Sequence, residues 1–180
     1  ILILNNDVVV EPNLLKELVT EFNGYIKTGI AAPKVMYYND PSFINSLGTS
    51  MDWFRLRPFL GYCNQRDTGQ VSTATERDIL VGCAIMASKE TISRIGLLDD
   101  NFFLVHEETD WCYRNLKSGF KNIVVPKAVV YHKVSKSLKQ FPQLTHYYTS
   151  RNILYLAHRN ASTLNLIKVY IGLSYLLFKN

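Results

Sequence analysis

Apolar residues in this chain come in short unbroken runs, separated by stretches where they recur every three or four positions. Ile1–Leu4 is an apolar run closed by Asn5-Asn6-Asp7, which predicts a buried strand delivering Asp7 to its C-terminal tip. Leu14, Leu15, Leu18, Val19 and Phe22 then recur at helical spacing, predicting a helix of about three turns with Pro12 as a suitable first residue and Gly24 beyond its end. Ile30–Val35 and Phe43–Leu47 read as strands. Residues 52–78 lack periodicity and read as a long surface loop. Ile79–Ala87 is an apolar run containing Gly82, and a glycine inside such a strand marks close approach by another backbone or a ligand. Ser88 is placed to cap a short helix ending at Ile95 and stopped by Gly96. Glu107–Ser118 reads as a helix stopped by Gly119. Ile123–Val125 and Ala128–Val134 read as two strands separated by Pro126-Lys127. Helices are predicted from Pro142 to His158 and over residues 163–178. Alternating strands and helices imply an α/β domain, without internal repeats.

Composition narrows the class. Of 180 residues, 47% are apolar and 19% charged, which excludes a disordered tail and leaves one globular domain. Cys63, Cys83 and Cys112 have no CxxC spacing and are odd in number, so a disulfide framework and a zinc site are both disfavoured and a reducing compartment fits better. The net charge of +5 conceals an uneven distribution. Residues 1–114 hold all 15 carboxylates and net −5, whereas residues 115–180 hold ten cations and no carboxylate. The chain opens inside a strand, with neither an initial methionine nor a signal-peptide pattern, and reads as a piece whose N-terminal part is missing.

Three features can carry chemistry. Asp7 at a strand tip is suited to a hard divalent cation with positions left open for phosphate oxygens, although an Asn/Asp turn bonding its own backbone would look the same. Glu107, Glu108 and Asp110 crowd the first turn of a helix. Macrodipole complementation and an i,i+4 pair from Asp110 to Arg114 are the bland explanation; a general base raised in pKa by its like-charged neighbours is the chemical one. His132 could complete part of a carboxylate–imidazole metal shell, or be structural.

Taken in order, these features resemble the inverting family 2 glycosyltransferases of GT-A fold, in their rhamnosyltransferase-like branch. The matching stretches are Ile3-Leu4-Asn5-Asn6-Asp7, Val81-Gly82-Cys83-Ala84-Ile85-Met86, Leu98-Asp99-Asp100-Asn101-Phe102-Phe103, Glu107-Glu108-Thr109-Asp110-Trp111-Cys112-Tyr113-Arg114, His132 with Ser135, and Tyr147-Tyr148-Thr149-Ser150-Arg151-Asn152. The resemblance covers residues 1–160 and implies a mixed, Rossmann-like sheet flanked by helices, lacking the first nucleotide-binding strands. Residues 161–180 read as a separate amphipathic C-terminal helix. It implies that Asp7 and His132 bind Mg²⁺ or Mn²⁺ at the diphosphate of a nucleotide-sugar donor, and that Glu108 deprotonates the acceptor hydroxyl. Glu107 and Asp110 would shape the acceptor site. Asn5, Asn6, Gly82 and Cys83 would lie near the donor, Trp111 would offer a stacking face, and Arg114 and Arg151 would contact substrate.

The sequence departs from the family pattern at two positions: Glu108 stands where the family usually has Asp, and Asn5 replaces the first acid of the metal motif. The expected acceptor is a saccharide or lipid-linked saccharide in cell-surface polysaccharide or glycolipid assembly, with the protein in the cytoplasm or at the inner membrane face. Residues 164–178 are mostly apolar with one narrow polar stripe and too short to span a bilayer, so they fit either peripheral membrane contact or packing on the core. Two alternatives stand beside this reading: an inactive fragment or scaffold, and a basic nucleic-acid-binding module. The second is disfavoured because the cations are scattered rather than clustered with stacking aromatics.

Overall fold

The computed structural model describes residues 1–24, 27–59, 61–134 and 140–178, the side chains of 176–178 excepted. Its order is β1 (Leu2–Leu4), β2 (Val8–Val10), α1 (Leu14–Phe22), β3 (Thr28–Tyr37), β4 (Ile44–Ser46), β5 (Ser50–Asp52), β6 (Arg57–Phe59), β7 (Thr75–Glu76), β8 (Ala84–Ala87), α2 (Lys89–Ile95), α3 (Glu107–Lys117), β9 (Lys121–His132), α4 (Pro142–Asn160) and α5 (Thr163–Phe178). Seven strands form one mixed sheet along the path β1-β8-β3-β9-β2, with β4 added to β3 and β7 to β9; β5 and β6 make a separate hairpin. The β3–β9 pair is parallel and every other pair antiparallel.

The two-residue period of the strands sorts the core into two layers. Ala31, Val35, Ala84, Met86, Ile123 and Val125 pack with Leu14 and Leu18 of α1 on one face. Ile30, Ala32, Met36, Ile85, Ala87 and Val124 pack with Trp111 and Cys112 of α3 on the other. A third cluster joins Ile153 and Leu156 of α4 to Met51, Ile79 and Phe102. Ser88 caps α2 by accepting a hydrogen bond from the Thr91 backbone N–H, as its position predicts.

Several expectations change. β1 is a half-exposed edge strand instead of a buried one. Val8–Val10 forms an additional strand on β9. α1 starts at Leu14 and presents only part of its apolar set to the sheet, leaving Leu15 and Val19 exposed. The run Ile79–Ala87 is regular strand only from Ala84. The expected 52–78 loop contains β6 and β7, and β5 runs into its start. The two strands expected around Pro126-Lys127 are one: β3 pairs Pro33 with Val125 and Lys34 with Val129, so β9 continues through a bulge that absorbs Pro126–Ala128. A bulge accommodates a residue without a backbone N–H inside a ladder. Ser135 and Lys136, expected beyond His132, lie outside the described residues.

Candidate active site

The sheet brings Asp7 and His132 together from 125 positions apart. Asp7 sits in the turn between β1 and β2, and the β2–β9 ladder pairs Val8 with His132. The Lys133 backbone N–H donates to the Asp7 carbonyl at 3.0 Å, and the Asn5 N–H donates to the Cys83 carbonyl at 2.9 Å, fixing both ends of the turn. His132 Nε2 then faces Asp7 Oδ2 at 3.3 Å. Nδ1 of the same ring lies 3.3 Å from Asn45 Oδ1, an acceptor for the Nδ1 proton in the tautomer whose Nε2 lone pair can ligate a cation. Asp7 Oδ1 is buried without a hydrogen-bond partner. An orphaned carboxylate oxygen beside an imidazole nitrogen suits a cation ligated by both side chains. Among the described residues no group of three His, Cys, Asp or Glu converges, so the protein would supply a partial shell with positions left for substrate and water oxygens.

A cavity of about 590 Å³ opens over this pair. Asn5, Asn6, Asp7 and His132 line one part of its wall, together with Asn45. Gly82, Cys83 and the segment Leu104–Thr109, which carries Glu107 and Glu108, also line it. Gly82 packs against the Glu108 side chain so closely that a Cβ there would sit 3.1 Å from Glu108 Cβ and 3.2 Å from Cγ. That contact is the close approach its place in an apolar run implies. Burial, reinforced by the neighbouring Glu107 charge, pushes the Glu108 carboxyl from 4.5 up to about 7. The Thr109 hydroxyl donates to Glu108 Oε1 at 3.0 Å, while Glu107 Oε2 is buried and unpartnered. Burial also pushes the Cys83 thiol up to about 12, with the Asp7 charge adding to it, so Cys83 meets the cavity as a neutral thiol near neutral pH.

Glu107 and Glu108 reach the cavity through an unusual backbone. Phe103, Val105 and His106 have φ of 56°, 59° and 69°, three non-glycine residues in the left-handed region just before α3. Each such residue costs on the order of 1 kcal/mol, and a β-branched one is the least suited to it. The strain turns the chain so that the first helical turn enters the cavity wall.

Four residues expected at the site stand elsewhere. Asp110 is fully buried and held by Arg114 Nε at 2.6 Å, Arg159 Nε at 3.1 Å and Asn160 Nδ2 at 2.8 Å. Arg114 is spent on Asp110 and on the carbonyls of Ile95 and Leu97. Trp111 has no exposed surface and donates its indole N–H to the Gly96 carbonyl at 2.9 Å, so no ring face is open to a sugar. Arg151 lies over the Tyr148 ring and donates to the Asn101 carbonyl. Helical phase accounts for part of this: at about 100° per residue, Glu108 lies roughly 160° around the axis from Asp110 and roughly 120° from Arg114, whereas Glu107 shares the azimuth of Trp111 and Arg114 and lines the cavity from the first residue of α3, where no preceding helical turn covers it. Asn45 and His106 carried no sequence signal, since one lies in a short strand and the other at a helix start defined only by its φ. Asn152 did carry one, inside the Tyr147–Asn152 stretch.

Compared with known proteins, no family model matches the chain. It is 27% identical to the dTDP-rhamnosyl transferase RfbF of Shigella flexneri over 96 residues, covering 49% of this chain and 32% of that protein. A crystal structure of GalNAc-T7 with UDP, GalNAc and Mn²⁺ superposes with a TM-score of 0.55 at 17% identity, covering 73% of this chain and 27% of that one. The fold is that of a GT-A glycosyltransferase. The chain spans about a third of the length of the curated relative it matches. In this GT-A frame the Asp7–His132 pair and Glu108 share one cavity, contributed by the β1–β2 turn, the end of β9 and the start of α3.

Proposed function

We propose that this chain carries the catalytic part of a metal-dependent, inverting glycosyltransferase. It would move a sugar from a nucleoside-diphosphate donor to a hydroxyl of a saccharide or lipid-linked saccharide, in cell-surface polysaccharide or glycolipid assembly. The similarity to a dTDP-rhamnosyl transferase supports a hexose or deoxyhexose such as rhamnose as the transferred group. One observation carries the reading: a cation-suited Asp7–His132 pair and a carboxyl raised to about 7, Glu108, line the same cavity.

Asp7 and His132 would hold Mg²⁺ or Mn²⁺, which when bound supplies Lewis-acid neutralisation of the diphosphate. Glu108 accepts the proton of the acceptor hydroxyl as its oxygen bonds to the anomeric carbon. The bond from that carbon to the phosphate oxygen breaks, and its electron pair leaves with the nucleoside diphosphate. A base near neutrality combines an ionised fraction at working pH with real proton affinity. Glu107 keeps that affinity high through its charge, and Gly82 keeps the Glu108 side chain in place by contact.

The test is Mn²⁺-dependent release of nucleoside diphosphate by the complete protein, with dTDP-rhamnose and UDP-sugars as donors and a saccharide panel as acceptors. Glu108→Gln and Asp7→Ala are expected to remove transfer by about a hundredfold or more. Transfer that survives both substitutions refutes the reading.

The place of work is proposed from α5. Its Val169 and Gly172 face the protein, with the Phe54 backbone leaving no room for a side chain at Gly172, while Leu164 is 72% exposed and Ile171 and Tyr175 are each 55% exposed on the other side. No helix among the described residues is long and apolar enough to cross a membrane. Lys168 within this stripe, and a last third without carboxylates, suit an anionic lipid surface at the inner membrane face. Sedimentation with phosphatidylglycerol-containing vesicles, lost in Ile167→Glu/Ile171→Glu, is the expected result; equal binding by both proteins refutes it.

A further inference from the structure

We infer that Asn152 is a positioning residue for the site: its side-chain amide clamps the left-handed segment Phe103–His106 and so sets where Glu107 and Glu108 stand in the cavity. Asn152 is on the buried face of α4, in contact with the loop and not with the cavity. Its Nδ2 donates towards the carbonyls of Phe102 at 2.8 Å, Leu104 at 2.7 Å and Val105 at 2.9 Å. Its Oδ1 accepts from Arg151 Nε at 2.9 Å, which assigns the amide orientation and leaves both N–H bonds for the loop. Arg151 adds donation to the Asn101 carbonyl from the adjacent position.

The chemistry of the clamp is specific. The left-handed residues Phe103, Val105 and His106 fold this segment back, and the carbonyls of Phe102, Leu104 and Val105 converge on the Asn152 amide. That position needs a neutral, short side chain with two donors. Aspartate would present oxygens to oxygens, and a lysine or arginine is too long for a buried position against the loop. Without the clamp, Val105 in particular has no reason to keep φ at 59°. The first helical bond, from Asp110 N–H to the His106 carbonyl at 3.0 Å, then passes the loop geometry directly into α3. Glu107 and Glu108 are the first two residues of that helix.

The role named for Glu108 rests on the proposed function, but the test needs no turnover, so failure of one is distinguishable from failure of the other. Carboxyl ¹³C NMR follows the titration of Glu108, and hydrogen exchange follows the amides of residues 103–107. In Asn152→Ala the Glu108 midpoint is expected to fall from about 7 by about one pH unit or more as water reaches it. Exchange of the segment should accelerate about tenfold or more. Leu156→Ala, which empties core space on the same helix face, should lower the melting temperature without moving the Glu108 midpoint. Asn152→Ala/Val105→Gly should restore part of the midpoint and of the protection, since glycine adopts the left-handed conformation freely. If Asn152→Ala alone does not fold, the same comparison is made on the double variant against Val105→Gly. An unchanged Glu108 midpoint and unchanged exchange in a folded Asn152→Ala protein overturn the inference. So does a midpoint shift of the same size in Leu156→Ala.

Discussion

Replacing Glu108 with glutamine should change how stability depends on pH, in a direction opposite to that of most carboxylates. The folded protein raises this carboxyl from 4.5 to about 7, chiefly because ionising it in the buried wall is unfavourable. The folded state therefore binds the proton more tightly than the unfolded chain. Its contribution is fully present below about pH 4.5 and is lost as pH rises through about 7. At 1.36 kcal/mol per pH unit, the ionised side chain costs the folded state about 3 kcal/mol above pH 8. Urea unfolding of the metal-free wild-type and Glu108→Gln chains at pH 5 and pH 8 measures this. Burial lowers the His106 pKa, which gives a dependence of the opposite sign on the acid side. The difference between the two proteins cancels that shared term. Wild type should lose about 2.5 kcal/mol more than Glu108→Gln between the two pH values, since the unfolded carboxyl is already mostly ionised at pH 5. An identical pH dependence in both chains refutes the assignment of a buried, proton-holding Glu108.

Three further outcomes follow from the same geometry. Gly82→Ala forces a Cβ to 3.1 Å from Glu108 Cβ; unfolding should show a loss of about 1–2 kcal/mol, with a displaced Glu108 titration in ¹³C NMR. His132→Ala should weaken Mn²⁺ binding about tenfold or more by water-proton relaxation, and Asn45→Ala should weaken it less, because it only fixes the imidazole tautomer. Asp110→Ala leaves Arg114 and Arg159 without their buried carboxylate; thermal and urea unfolding should report a loss of about 3–5 kcal/mol, with Mn²⁺ binding by the Asp7–His132 pair retained.

Local chemistry was readable along the chain wherever a local interaction decides the outcome. The Ser88 cap, the Gly96 and Gly119 stops at positive φ, and the mostly apolar run Ile30–Val35 inside β3 depend on neighbours within a few residues, and the structure has them where the sequence places them. The pairing of short strands was not readable. β2, β5, β6 and β7 have two or three residues each, too few for a period; β2 and β7 exist because distant β9 offers them a ladder, and β5 and β6 because they pair with each other. Pro126 broke the reading of β9 because its missing N–H marks a strand end in isolation, whereas the β3 partner carries the strand across the bulge.

The chemistry divides in the same way. The sequence by itself determined which side chains were available: a carboxylate at a strand tip, two glutamates opening a helix, one histidine in an apolar strand. Only the tertiary structure decided which of them meet. Asp7 reaches His132 because β2 pairs with β9, a contact across 125 residues that no local pattern encodes. Within α3, spacing puts Glu108 and Asp110 roughly 160° apart around the axis but does not say which of them meets the cavity. That depended on α4, whose Arg159 and Asn160 take Asp110 into the interior while Asn152 holds the loop that turns Glu107 and Glu108 outward. Crowded carboxylates on one helical turn thus acquire opposite roles, one ion-paired in the core and one raised to titrate near neutrality, because the solvent and the partners around each are set by elements far away in the chain.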